Sequence, residues 1–214
     1  MYEATPKNFE TVWNRAEREA AGPWAGVFRS MTLPLGAFLR DNGSSVPQQI
    51  PAATGDAVGF GLHGSSNSLL VLTWNGTSQT AVYYGGLKLP RTITKHYDKR
   101  DLKLVVTMDK SGGGTDNADL GLTLQAYTRY PGQDSDSVGG ASTMVLDAKA
   151  ADLSGMREYV FDLGALIDIS TGWTPGTVLT LQLTPDQAIG FDLNLNIAAV
   201  ELEWREHLNP VARV

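Results

Sequence analysis

The sequence predicts an all-β protein, a jelly-roll-like antiparallel β-sandwich with a short N-terminal helical arm. The strongest indication is the alternation of apolar and polar side chains over Thr177 to Thr184 and over Phe191 to Arg205. Because successive residues of an extended chain point to opposite sides, each run has one apolar and one polar face. Both runs are therefore expected to be half-buried antiparallel strands whose apolar faces need a second sheet to cover them.

Composition supports the same fold class and limits the classes of function. The 214 residues include 23 glycines, 10 prolines and no cysteine, which fits one turn-rich β domain without disulfides. The formal net charge of −6 disfavours nucleic acid as a partner. No apolar run reaches the ~18–20 residues of a membrane span, and the N-terminus lacks the order of a signal peptide. We therefore expect a soluble protein that is made in a cytoplasm and has no membrane partner.

The first 25 residues are predicted to form an arm that precedes a single β-sandwich domain over residues 26–214. Thr5 is a suitable N-cap and Pro6 a suitable first helical residue. Residues spaced three or four apart form one apolar stripe: Phe9, Val12, Trp13, Ala16 and Ala20. A helix this short is marginal in water, so it must pack on something. It can lie on its own sandwich or dock into a neighbouring subunit, and the sequence leaves both possibilities open.

Strand patterns follow one another through the domain at the spacing that is typical of sandwiches and barrels. About eight to ten strands are expected, and they include residues 58–62, 68–74, 80–84, 102–108, 120–126, 143–146 and 158–163. Asn75-Gly76 predicts a tight hairpin between the second and third of these runs. Residues 102–108 and 120–126 are predicted to form a second hairpin with a long polar tip, and residues 165–169 one helical turn.

The last strand pattern contains a break in its alternation. Apolar residues occupy odd positions up to Ile197 and even positions from Ala198 onward. A shift of one residue would turn the apolar face of a regular strand outward. We therefore predict a β-bulge or a sharp bend near Ile197 to Ala199, where one extra residue restores the apolar face to the core.

The sequence contains no recognisable catalytic or metal-binding motif. The three histidines, His63, His96 and His207, have no metal-ligand spacing to one another or to a carboxylate pair. They are expected to be solvated. No nucleophile elbow, phosphate-binding loop or dinucleotide fingerprint is present. We accordingly predict no catalytic residue, no metal site and no cofactor.

Acidic residues allow two weaker possibilities. Two loops could offer oxygen ligands to calcium: Asp109, Asp116 and Asp119 in one, and Asp134 and Asp136 in the other. Neither loop has EF-hand spacing, so solvated acidic turns are the simpler interpretation. Glu201 and Glu203 share one strand face, as a glycosidase pair could, but they alternate with apolar residues and are expected to face solvent.

Tyrosines are the aromatic residues that could stack on a sugar. The candidates are Tyr83, Tyr84, Tyr127 and Tyr130. Tyrosines on a sheet face mostly serve packing. A carbohydrate-binding module, or the receptor-binding tip of a tail fibre, therefore remains an alternative function for a sandwich of this kind, because the fold alone does not determine the function.

Several short segments of the sequence, and the order in which they occur, resemble one known class of protein. They are Leu-Pro-Leu-x-x-Phe-Leu-Arg (33–40), Leu-Thr-Trp (72–74), Leu-Lys-Leu-Pro-Arg (87–91), Asp-Lys-Arg-Asp-Leu (98–102) and Val-Glu-Leu-Glu-Trp (200–204). Together with the run from Pro175 to Asp186, they look like the jelly-roll minor structural proteins of tailed bacteriophages, which decorate or cement a capsid or form a head fibre. The resemblance covers roughly residues 33–204.

The resemblance implies a virion protein without enzymatic activity or cofactor. It also implies a homotrimer that binds the major capsid protein. A contact of this kind should present an apolar, aromatic-rich patch. The candidate docking residues are Phe9, Val12, Trp13, Trp24 and Phe28.

Overall fold

Most of the described chain is β-strand. The computed structural model describes residues 27–41, 43–44, 46–53, 58–64, 66, 68–75, 80–88, 102–111, 120–129, 141–146, 155–167, 177–185 and 194–206. The twelve strands in this part are β1 (Val27–Thr32), β2 (Leu39–Asp41), β3 (Pro47–Gln49), β4 (Val58–His63), β5 (Leu69–Trp74), β6 (Val82–Lys88), β7 (Leu102–Ser111), β8 (Leu120–Arg129), β9 (Ala141–Leu146), β10 (Arg157–Asp162), β11 (Val178–Pro185) and β12 (Asn194–Glu206). A 3-10 turn (Leu35–Ala37) and a one-turn helix, α1 (Leu163–Leu166), complete it.

The strands form two antiparallel sheets of six strands each. Sheet A has the order β10-β7-β12-β5-β4. The long strand β12 has two partners on the side away from β7: its first half pairs with β5 and its second half with β1. Sheet B has the order β3-β2-β6-β11-β8-β9. This arrangement is the jelly-roll-like β-sandwich that the sequence predicts. Within the described part of the chain, no helix has the length and hydropathy to cross a membrane.

The two runs that carried the prediction lie in the middle of opposite sheets. β11 is central in sheet B and turns Leu179, Leu181 and Leu183 inward with no exposed surface. β12 is central in sheet A and turns Leu195 and Ile197 inward, equally buried. The alternating faces thus meet across one shared core, because each sheet covers the apolar side of the other.

The predicted irregularity in the last strand is confirmed. β12 continues over 13 residues, and its pairing with β7 shifts register between Ile197 and Ala199. Ile197 pairs with Met108, whereas Ala199 pairs with Thr107, so residue 198 is the extra one. Because of this bulge, Val200 and Leu202 point into the core like Ile197, although the sequence parity has changed.

Both predicted hairpins are wrong. β5 pairs with β4 and β12 in sheet A, whereas β6, which follows Asn75-Gly76, pairs with β2 and β11 in sheet B. β7 and β8 likewise belong to different sheets. Turn residues predict that the chain reverses its direction. They do not determine which of the two sheets the next strand joins. The buried Trp74 helps to hold the first crossing, because its indole Nε1–H donates a hydrogen bond to the Thr80 carbonyl at 2.8 Å.

The structure tests one of the two helical predictions, the turn over residues 165–169, and not the arm over residues 1–25. The turn expected over residues 165–169 lies slightly earlier, in α1, where the Ile167 amide donates to the Leu163 carbonyl at 2.9 Å. The arm predicted for residues 1–25 lies outside the described residues, so the helix and the domain boundary stay predictions.

Candidate functional site

The outer face of sheet B carries a group of polar and aromatic side chains. Register places Tyr83 of β6 opposite Gln182 of β11, which in turn lies opposite Gln125 of β8. One step along the strands, Tyr127 lies opposite Thr180. All five side chains are half-buried, and they alternate with core residues, so they share the outer side of the sheet. We call this group the tyrosine face.

Hydrogen bonds tie the tyrosine face together. The Tyr127 hydroxyl donates to Gln182 Oε1 at 2.7 Å, and Gln182 Nε2 donates to Thr184 Oγ1 at 3.3 Å. Because Gln182 is two residues beyond the position directly opposite Tyr127, the phenol must lean across β11. The ring is therefore held over the sheet surface by a bond at its tip, which limits the rotamers available to it.

The ionisation of the two phenols reflects this environment. Burial raises the pKa of Tyr83, and the nearby Asp41 carboxylate and Tyr127 phenol raise it further. Burial also raises the pKa of Tyr127. Removal of a phenol from water disfavours its charged form, and a neighbouring carboxylate adds repulsion. Both hydroxyls therefore remain neutral donors throughout the physiological range.

These pKa shifts predict a loss of stability at alkaline pH. Since the folded-state pKa of Tyr83 exceeds the value of about 10 for an unfolded chain, folded protein holds this proton more tightly. The contribution is fully present below about pH 10 and is lost as the pH rises through the folded pKa. We expect Tyr83→Phe to reduce the fall in unfolding free energy as the pH rises above about 10. Urea titrations that give the same fall for both proteins would contradict this expectation.

The four tyrosine candidates do not share one surface. Tyr83 and Tyr127 lie together on the tyrosine face. Tyr84 points the other way and packs against Phe38 in the core, with ring centroids 5.1 Å apart. Tyr130 lies outside the described residues. The two glutamines and the threonine of the face were not candidates, although the alternation of β11 had already placed Gln182 on a polar side.

A second polar cluster lies on the outer face of sheet A. Asp109 of β7 is only 4% exposed, and its carboxylate accepts a hydrogen bond from Asn196 Nδ2 at 3.0 Å. Its other oxygen lies 2.8 Å from His63 Nε2. The expectation that His63 is a solvated histidine is therefore wrong. Asp109, expected in an acidic loop, instead lies within β7 as a buried hydrogen-bond acceptor.

We expect this cluster to contribute to stability. Asp109→Ala removes the acceptor of the buried Asn196 amide and of His63, so the free energy of unfolding should fall by about 3 kcal/mol. His63→Ala, at a partly exposed site, should cost only about 1 kcal/mol. Chemical denaturation of the two variants provides the comparison. Equal, small losses would show that the carboxylate is not the centre of the cluster.

The remaining predicted residues do not form a site in the described part of the chain. Asp116, Asp119, Asp134 and Asp136 lie outside it, as do His96, His207, Phe9, Val12, Trp13 and Trp24. Phe28 belongs to β1. Glu201 and Glu203 are half-buried on the outer face of sheet A, where Glu203 lies opposite Lys103. Among the described residues, no three His, Asp or Glu side chains are grouped so that they could hold a metal ion.

Comparison with known proteins supports the fold and gives no family. No family model and no curated protein matches the sequence. Among solved structures, the chain is similar to the family 30 carbohydrate-binding module of a cellulosomal cellulase of Clostridium thermocellum. That match has 11% identity and a TM-score of 0.50, and it covers 81% of this chain and 96% of the module.

Two further solved structures are of the same general kind. A second family 30 carbohydrate-binding module has 13% identity and a TM-score of 0.50, covering 87% of this chain and 93% of the module. A xylan-binding module of family 15 has 9% identity and a TM-score of 0.42, covering 85% and 99%. At these identities, the similarity to the family 30 modules establishes a shared β-sandwich fold.

Proposed function

We propose that this protein binds carbohydrate through the tyrosine face and that it is a binding module without catalysis of its own. The observation that carries the proposal is the placement of Tyr83 and Tyr127 on neighbouring rows of one sheet face, with Gln182 and Gln125 beside them. A pyranose ring has an apolar face of C–H groups and a rim of hydroxyls. Tyrosine rings offer apolar area to the first, and amides and hydroxyls offer hydrogen bonds to the second.

The rigidity of the face also favours this function. The side chains stand on three adjacent, paired strands in the middle of a sheet, not on loops. The Tyr127 hydroxyl is already bonded to Gln182, so part of its conformational freedom is lost before any ligand arrives. Binding to a preorganised surface costs less entropy than binding to mobile side chains.

The fold is compatible with carbohydrate binding. The two solved structures described above that share it at a TM-score of 0.50 are both carbohydrate-binding modules. Binding to a major capsid protein, trimer formation and a place in a virion rest on the resemblance of the sequence alone. They stay predictions.

A glycan array followed by calorimetric titration tests the proposal. We expect the purified full chain to retain a defined set of polysaccharides and to bind a soluble member of that set with a saturable isotherm. A matched chain with Tyr83→Ala and Tyr127→Ala together should be retained by none of them. If the folded wild-type protein binds no glycan on a broad array, the proposed function is wrong.

A further inference from the structure

The tyrosine face continues into a notch on β6, where two glycines carry no side chain. The pairing of β6 with β11 shifts register between Leu179 and Leu181, so Thr180 faces Gly85 and Gly86. Both glycines are exposed. Among the described residues, the nearest atom to a Cβ on Gly85 would be Thr180 Oγ1 at 3.9 Å, and a Cβ on Gly86 would meet none within 4 Å. A ligand lying over Tyr83 and Tyr127 can therefore approach the backbone here.

A basic row borders this notch. Val178 of β11 lies opposite Lys88 of β6 on one side and opposite Arg129 of β8 on the other. All three side chains are exposed, and Val178, at 37%, separates the two cations. Since adjacent strands are ~4.8 Å apart, the two Cα atoms are separated by roughly 10 Å. Long side chains at this separation can converge on one small anion above the valine.

The charge of this row differs from that of the whole protein. The chain has a net charge of −6, whereas the strands of sheet B contain one acidic residue, Asp41. Asp41 lies at the opposite end of the face, beyond Tyr83, whose pKa it helps to raise. An acidic protein repels polyanions in general. Two cations at one end of the proposed binding face would instead attract an anionic group of a ligand to that end.

We propose, on the basis of the proposed function, that the glycan contains a uronic acid whose carboxylate lies between Lys88 and Arg129. Its pyranose neighbours then lie across the notch onto Tyr127 and Tyr83. Arginine offers a carboxylate a two-pronged set of N–H donors, and lysine adds a compact positive charge. The ligand class is therefore an acidic polysaccharide and not a neutral glucan or xylan.

The test compares one polymer in two charge states. Wild-type protein is titrated with polygalacturonate and with the same polymer after full methyl esterification, which keeps the sugar rings and removes the charge. We expect at least about tenfold tighter binding of the charged form, with a preference that weakens as salt increases. Lys88→Gln with Arg129→Gln should lower the affinity for the charged polymer to that for the ester, so that the preference is lost. Arg157→Gln removes an exposed cation on sheet A and should leave the preference and both affinities unchanged.

A second variant probes the notch independently of charge. Gly85→Val places a β-branched residue in a strand position where the backbone allows it, so the melting temperature should change little. It should nevertheless weaken binding of charged and esterified polymer alike by about tenfold or more.

The outcomes separate this inference from the proposed function. Equal binding of the two polymers, or a preference that survives in the Lys88/Arg129 variant, overturns the assignment of a uronic acid and leaves carbohydrate binding intact. Binding only to neutral glycans also overturns the uronic acid and leaves carbohydrate binding intact. Failure of the folded protein to bind any glycan removes the proposed function itself.

Discussion

Replacement of either outer tyrosine by alanine should remove most of the affinity for glycan. Truncation of an aromatic anchor at the centre of a binding surface typically costs about 2 kcal/mol or more, which is roughly a 30-fold increase in Kd. Tyr127→Ala also releases Gln182 from its 2.7 Å hydrogen bond and so loosens a second polar contact. We therefore expect Tyr127→Ala to have at least as large an effect as Tyr83→Ala, measured by calorimetric titration.

Conservative variants distinguish lost stacking from lost hydrogen bonding. Tyr127→Phe keeps the ring and removes the donor to Gln182, so its Kd should rise by only about three- to tenfold. Both tyrosines are half-buried on an outer face, so thermal melts of the alanine variants should stay close to that of the wild type. Retention of full affinity by both folded alanine variants would exclude the tyrosine face as the binding surface.

Replacement of Gly59 by alanine should strongly destabilise the sandwich. A Cβ at Gly59 would lie 2.4 Å from the Cα of Ala53 and 2.6 Å from its amide nitrogen. These are backbone atoms of a segment held at the edge of β4, where Ala53 donates to the Phe60 carbonyl and Phe60 donates to the Pro51 carbonyl. The segment must move and lose these bonds. We expect a loss of about 3 kcal/mol in unfolding free energy.

Two other glycines provide a graded series for this prediction. A Cβ on Gly61 would lie 3.3 Å from the Thr73 methyl group, a side-chain atom that can shift, so Gly61→Ala should cost about 1 kcal/mol. A Cβ on Gly36 would meet no described residue within 4 Å, so Gly36→Ala should be neutral or slightly stabilising, since alanine reduces the entropy of the unfolded chain. Urea denaturation of the three variants should give this order. A Gly59→Ala protein as stable as Gly36→Ala would show that segment 51–53 does not pack against the edge of β4.

Alternation was sufficient to predict the fold class and even the position of one irregularity. The parity change at Ile197 to Ala199 located the bulge of β12 because a buried face tolerates no slip in register. Alternation did not determine which strands pair. Asn75-Gly76 is a strong local turn signal, but β5 and β6 lie in different sheets, and that choice depends on contacts between residues far apart in sequence.

The candidate site was only partly predictable for the same reason. Tyr83 and Tyr127 were identified as sugar-stacking candidates, but their adjacency requires the register of β6, β11 and β8. Tyr84 was an equal candidate until the structure placed it against Phe38. The meeting of His63 with Asp109, 46 residues apart, has no local sequence signal at all.

Chemical-shift mapping of the protein during titration with a bound polysaccharide fragment tests the central claim most directly. Carbohydrate binding at the tyrosine face predicts that the largest amide shifts belong to Tyr83, Tyr127, Gln182 and their neighbours on β6, β8 and β11. Shifts concentrated on the outer face of sheet A, around His63 and Asn196, would contradict that location. A titration that moves no resonance of sheet B would contradict the account as a whole.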